Sequence, residues 1–176
     1  MTAARALIAL LVTSLACPAP CLAAAASIEP DSNIPARILA LHNRERAAVG
    51  APPLAWDPAL AASAASYGPT LASLGRLAHS PRETRPGQRE NLAMGTAGHY
   101  GAEDLVGFWI EEKRHFQPGT FPNVSRTGQW KDVAHYTQMI WKGTTNVGCA
   151  LHVAGGRNYL ICRYSPPGNA DGRPVF

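Results

Sequence analysis

Several kinds of feature are scarce or missing in this chain, and most of these absences close off a class of protein. There is no Lys/Arg run and no basic stripe interleaved with aromatics; the formal charge of +4 comes from Arg scattered among Glu and Asp. Nucleic-acid binding therefore has no support. The one long apolar run, Ala6–Leu15, is too short to span a bilayer as a helix. No His-x-x-x-His or His-Glu-x-x-His pair places two metal ligands on one helix face, and no Ser or Cys nucleophile has an assignable base. Internal repeats are absent, which excludes solenoids and propellers. Cysteine is sparse, with 4 in 176 residues.

What is present begins with an export signal. Met1–Ala26 has Arg5 near its start, then the apolar run, then small residues around Leu22–Ala26, with cleavage expected between Ala23 and Ala26. The protein is then secreted or periplasmic. An alternative reading makes Cys17 a lipidated first residue, although Ser14 stands where a lipoprotein signal has an aliphatic residue. Removal of the signal takes Arg5, Cys17 and Cys21 with it and leaves a charge of +3. About 150 residues remain, enough for one domain. High Ala, Pro and Arg with few Lys points to a GC-rich bacterial gene.

The stretch Ala134–Tyr164 organises the rest. Asn146–Val153 and Asn158–Tyr164 are rich in Val, Leu, Ile, Cys and Tyr, and Gly155-Gly156 lies between them. A Gly-Gly loop suits a type I′ turn, whose central residues need φ > 0. Centring the turn there sets the register: Ala154 faces Arg157, Val153 faces Asn158, Leu151 faces Leu160 and Cys149 faces Cys162. Opposed cysteines are within reach of a disulfide. In an exported protein that pair is the expected bridge, the alternative being two buried thiols.

Taken in order, residues 27–33 are a polar lead. A first helix follows, with Pro35 in its first turn and Asn33 available as cap; Ile34, Ile38 and Leu41 form its apolar stripe, Arg37, Arg44 and Arg46 lie off it, and Gly50 ends it. Leu54–Trp56 is a short extended piece. Asp57-Pro58 opens a second, alanine-rich helix, Pro58–Leu74, which Pro69 is expected to kink or divide. Gly75–Gly101 reads as a long functional loop. Glu103–Phe116 is a third helix whose stripe Leu105, Trp109, Glu112, Phe116 contains one carboxylate out of place. Gln117–Asp132 is a second loop, Ala134–Trp141 a short helix, and the Pro/Gly-rich tail is expected to cover the sheet edge.

His79, Glu90, Glu112 and His135 stand out as titratable residues among apolar or small neighbours. Two imidazoles and two carboxylates can hold Zn²⁺ or another divalent cation, or pair as acid and base. They can equally form a buried ionic network that ties loop to helix.

The segments His42-Asn43-x-x-Arg46, Leu54-x-Trp56-Asp57, His79-Ser80, Glu90-Asn91-Leu92-Ala93, Trp109-x-x-Glu112, His135-Tyr136-Thr137-Gln138-x-x-Trp141, Val147-Gly148-Cys149-Ala150 and Cys162-x-Tyr164-x-Pro166-Pro167-Gly168-Asn169 occur in that order. Together they resemble the CAP superfamily (SCP domain) of cysteine-rich secretory, antigen 5 and plant pathogenesis-related proteins. The resemblance covers 34–169, with 170–176 as a tail. It implies an α+β fold, a three-layer α-β-α sandwich with a small, mostly antiparallel central sheet and a large cleft. It also implies a tetrad of His79, Glu90, Glu112 and His135, Glu111 not being the match, in which His79 and His135 hold a metal with Glu90 and Glu112 nearby.

Some positions depart from the family pattern. Arg89 and Ala134 stand where Gly is common, and Arg89 is expected to put a cation beside Glu90, lower its pKa and compete with a metal. At most one disulfide is available where many eukaryotic members have three. The sequence carries no cysteine-rich segment after residue 169, so the ion-channel modulation that the resemblance ties to such a module is not expected. Three functions fit the resemblance. One is a binding module for a lipid or other small molecule. Another is a metal-dependent, protease-like hydrolase with Glu90 or Glu112 as base. The third is an envelope protein with a structural tetrad and a protein partner that the sequence does not name.

Overall fold

The computed structural model describes residues 33–176. The signal Met1–Ala26, the Cys17 alternative and residues 27–32 of the lead lie outside the described residues. Four helices and a four-stranded mixed sheet make up the domain, in the order α1 (Ile34–Ala48), β1 (Ala55–Trp56), α2 (Pro58–Leu74), β2 (Arg89–Thr96), α3 (Ala102–Glu111), α4 (Ala134–Ile140), β3 (Asn146–Ala154) and β4 (Arg157–Ser165). The sheet order is β1-β3-β4-β2. Only the β1–β3 contact is parallel. No helix of the described residues is long and apolar enough to cross a membrane.

The β3–β4 hairpin has the register that the Gly-Gly turn predicts. Ala154 pairs with Arg157, Val153 with Asn158, Leu151 with Leu160 and Cys149 with Cys162. Gly155 and Gly156 both have positive φ, 57° and 71°. Cys149 and Cys162 form the disulfide across this pair. The bridge closes 13 residues, worth about 3 kcal/mol on the chain-entropy model.

Alternation along β4 divides the interior in two. Leu160, Cys162 and Tyr164 face the core shared with α1, α3 and α4, around Leu105, Trp109, Tyr136 and Ile140. Tyr159 and Ile161 face α2, against Ala64 and Leu71. One strand buried on both faces puts the sheet between two helical layers. α2 packs closely because β3 has no side chain in its way: a Cβ on Gly148 would lie 2.3 Å from Ala61 N and 2.4 Å from Asp57 O.

Several expectations are corrected. The stretch Gly75–Gly101 is not a continuous loop: its centre, Arg89–Thr96, is β2, paired along its length with β4. Its polar Glu90 and Asn91 hide the strand in the sequence, because both are buried by partners elsewhere in the chain. α2 runs undivided through Pro69 from its Asp57 cap, whose Oδ1 accepts from Ala59 N–H at 2.8 Å, to left-handed Gly75. α3 stops at Glu111, and a tighter 3-10 turn carries Glu112–His115. Arg46, off the apolar stripe of α1, is nonetheless wholly buried. It donates to the carbonyls of Pro52 (2.6 Å), Met139 (3.1 Å), Trp141 (2.8 Å) and Thr144 (2.9 Å), tying α1 to the end of α4. The start of the tail meets the edge strand β2, where Arg89 donates to Gly168 and Asn169, and its end joins the second loop and the turn after α4. Phe121 N–H donates to Arg173 O at 2.9 Å and Lys142 N–H to Val175 O at 2.8 Å.

Candidate functional site

β2 is one of the two edge strands of the sheet, and its first residues, Arg89, Glu90 and Asn91, line a cleft of ≈ 690 Å³. Successive strand residues point to opposite faces. Glu90 therefore points to the α2 side and Asn91 to the α1/α3/α4 side.

Glu90 is buried and receives four donors. His79 Nδ1 bonds Oε1 at 2.8 Å, the Ser80 backbone N–H reaches the same oxygen at 3.0 Å, and the Ser80 hydroxyl donates to Oε2 at 2.9 Å. The fourth donor is Arg163 Nη2, 3.1 Å from Oε2. Burial pushes the Glu90 carboxyl up, but His79, Arg163 and Ser80 together hold it below its ordinary value. The cation responsible is not Arg89, as expected. Arg89 shares the opposite face with Asn91 and donates to the carbonyls of Gly168 (2.9 Å) and Asn169 (3.1 Å). Arg163 is the cross-strand partner of Glu90, so the two side chains share a face.

The second pair comes from the other helical layer. Glu112 Oε1 is 2.6 Å from His135 Nδ1, and Oε2 accepts the backbone N–H groups of His135 and Tyr136, each at 3.0 Å. Those N–H groups belong to the first turn of α4, where helix donors lack internal partners. Glu112 thus caps α4 from outside while orienting His135, which explains a carboxylate on an otherwise apolar stripe. Trp109 stacks on the His135 ring, 6.0 Å between centroids at 16°. Glu111, one residue earlier, is exposed and 3.9 Å from Arg114.

A buried chain of hydrogen bonds holds this layer in place. Asn91 Nδ2 donates to the His135 carbonyl at 3.1 Å and to the Tyr164 hydroxyl at 3.2 Å. Tyr164 in turn bonds His42 Nε2 at 2.8 Å, and His42 Nδ1 lies 2.8 Å from Ile38 O. The two His42 bonds are both satisfied when Nδ1 carries the proton, leaving the ring neutral. Burial, partly offset by the Ile38 bond and reinforced by Arg46, pulls its pKa down to about 4.

His79 and His135 both line the cleft, with Ser80, Arg82, Arg85, Glu90, Trp130 and Asp171. Glu112 does not line it and reaches it only through His135. The four residues are thus two His–Glu pairs on one cleft. Among the described residues no group of three or more His, Cys, Asp or Glu is placed to hold a metal ion. Both imidazoles use Nδ1 on a carboxylate, and neither Nε2 has a protein partner among the described residues. Ser80 does not pair with His79; its hydroxyl is engaged by Glu90 and by Arg85 Nε at 3.0 Å. Sequence reasoning missed Arg163 and Arg85 as site residues. The sequence signal for Arg163 was available only through the β2–β4 register.

Comparison with known proteins matches this architecture. The cysteine-rich secretory protein (CAP) family matches residues 39–164. The pathogenesis-related protein of PR-1 type from Sambucus nigra is 34% identical over 145 residues, 82% of this chain and 83% of its own length. Pathogenesis-related protein 1C from Nicotiana tabacum is 37% identical over 136 residues, 77% of this chain and 76% of its own. Among solved structures, NaASP2, crystallised with Zn²⁺, superposes with a TM-score of 0.71 at 23% identity, over 84% of this chain and 88% of that one. An outer surface protein from Borrelia burgdorferi shares the fold with a TM-score of 0.56 at 14% identity, over 80% and 97%. With the hairpin, the two helical layers and the matched segment agreeing, this chain belongs to the cysteine-rich secretory protein (CAP) family.

Proposed function

We propose that the protein is an exported binding module whose cleft takes a divalent cation of the zinc class between His79 and His135, and beside it a lipid or other small ligand. One observation carries this reading. Each histidine is held at Nδ1 by a carboxylate, at 2.8 Å for His79 and 2.6 Å for His135, which fixes the ring and leaves Nε2 as the nitrogen available to a ligand. The donor set fits such an ion: imidazole nitrogen suits zinc, copper and nickel. Glu90 and Glu112 act as orienting groups, because their oxygens are occupied by imidazole and backbone N–H. A site with two protein ligands keeps positions open for a ligand's own donors, and a bound ion would supply positive charge there. The crystallisation of NaASP2 with Zn²⁺ is consistent with this reading.

Calorimetric titration of Zn²⁺ into metal-stripped protein tests it, beside the His79→Ala/His135→Ala variant. Micromolar or tighter binding that the variant loses supports the site. Absent binding, or binding that survives both substitutions, sinks it and leaves the two pairs as structural ties between layers. Export is checked by the N-terminus of protein recovered outside the cytoplasm, expected between Ala23 and Ala26. Lipid that co-purifies is read by mass spectrometry.

A further inference from the structure

Arginines on one wall of the cleft are more than the fold requires. Arg82, Arg85 and Arg89 all line the main cleft, and all three also line a smaller recess of ≈ 230 Å³ beside it, with Gly87 and Gly168. The trio is therefore the divide between two openings. Two of the three are held in place. Arg85, buried, bonds Ser80 through Nε and the Gln88 carbonyl through Nη1 at 3.0 Å. Arg89, half-buried, is pinned to Gly168 and Asn169 as described. A guanidinium has five N–H donors on three nitrogens. Arg85 Nη2 and Arg89 Nη1 form no hydrogen bond among the described residues, and Arg82, exposed, forms none with its side chain.

Three like charges on one wall are matched there by a single exposed carboxylate, Asp171. Glu90, the other acid on the cleft, is already paired with Arg163. Glu83, in the same turn as Arg82, does not line the cleft. The Arg89 guanidinium registers this crowding: burial lowers its pKa, Arg82 and Arg85 lower it further, and Asp171 raises it. Planar, pre-oriented guanidinium groups with unspent donors match phosphate oxygens, and a group of more than one negative charge balances the excess that one carboxylate leaves.

On the reading of this cleft as a ligand site, we infer that Arg82, Arg85 and Arg89 form an oxyanion subsite for the phosphate monoester of the ligand, next to His79. The phosphate belongs either to a lipid headgroup or to a soluble ester.

The test uses the full chain in metal-free buffer, with glycerol 1-phosphate by calorimetry and, separately, co-sedimentation with phosphatidylcholine vesicles with and without phosphatidate. Arg82→Gln is the main variant, since Arg82 is exposed and its side chain holds nothing in the fold. Arg89→Gly is the second, with a thermal melt to confirm folding. Losing one charged donor is expected to weaken binding at least about tenfold. Binding of glycerol 1-phosphate that falls this far in Arg82→Gln supports a soluble ester. Binding only to phosphatidate vesicles, lost in the same variant, supports a headgroup. Binding of neither probe, or binding unchanged in both variants, overturns the inference. The His79→Ala/His135→Ala variant separates the two readings. Phosphate binding that persists there in metal-free buffer belongs to the arginines. Binding lost there but kept in Arg82→Gln assigns the phosphate to the imidazoles and overturns the arginine subsite, while the metal site is read separately by the Zn²⁺ titration.

Discussion

Replacing Glu90 by Gln strands Arg163. Arg163 is 2% exposed, and its Nε and Nη1 have no protein partner among the described residues. Its polar contacts are the 3.1 Å bond to Glu90 and the face of Tyr67, 6.0 Å to the ring centroid. Glu90, by contrast, keeps three donors from His79 and Ser80 when Arg163 is removed. The two halves of the ion pair are therefore unequal. Removing the carboxylate charge leaves a buried cation uncompensated, about 3–5 kcal/mol. Arg163→Met removes a cation that was poorly satisfied, and costs less, about 1.5–3 kcal/mol for the one charged bond lost. Because each single variant leaves the other's partner behind, the double variant should be less destabilised than the sum by about 1–3 kcal/mol. Urea denaturation of the four proteins at pH 7, with unchanged slopes, measures all three quantities. Arg163→Met costing as much as Glu90→Gln would refute the asymmetry. Additivity within about 0.5 kcal/mol would refute the pairing itself.

Two further predictions rest on other parts of the fold. Gly148→Ala places a Cβ 2.3 Å from the backbone of α2, so the helix must lift from the sheet; a loss of at least about 2 kcal/mol and a Tm lower by about 5 °C or more are expected, and a melt within about 1 °C of the parent contradicts the close approach. His42 stays neutral in the fold down to about pH 4, whereas in the unfolded chain it takes a proton near pH 6.5. Over that window the unfolded state binds the extra proton, so stability falls as pH drops from 6.5 towards 4 and His42 contributes no further change below it. Its share is about 3 kcal/mol, and His42→Gln should flatten the stability profile in that window; an unchanged slope rules the assignment out.

Part of this site is legible from local pattern. His79, Glu90, Glu112 and His135 stand out as titratable residues among apolar or small neighbours, and all but the exposed His79 are at least half-buried. Their pairing is not legible. Nothing between Glu112 and His135 in the chain says that one carboxylate caps the helix bearing the other's imidazole. Sequence adjacency points to Arg89 rather than Arg163 as the cation on Glu90, and it misleads because neighbours in a strand lie on opposite faces. β2 itself reads as loop, since Arg-Glu-Asn and Met-Gly-Thr carry weak strand signals and the pairing partner lies more than sixty residues later.

The hairpin register, the disulfide, the Asp57 cap, the spans of α1 and α4 and the two ends of α2, though not its continuity through Pro69, follow from the sequence alone. They depend on contacts within a few residues, and period-2 alternation, a Gly-Gly turn and Asp-Pro punctuation act at that range. Only the tertiary structure decided that β2 closes the sheet, that Arg46 and Arg163 are buried, and that three arginines meet beside His79. Those outcomes depend on which distant backbone carbonyl, carboxylate or strand edge is available to satisfy a polar group, and that is set by packing across layers rather than by neighbours along the chain.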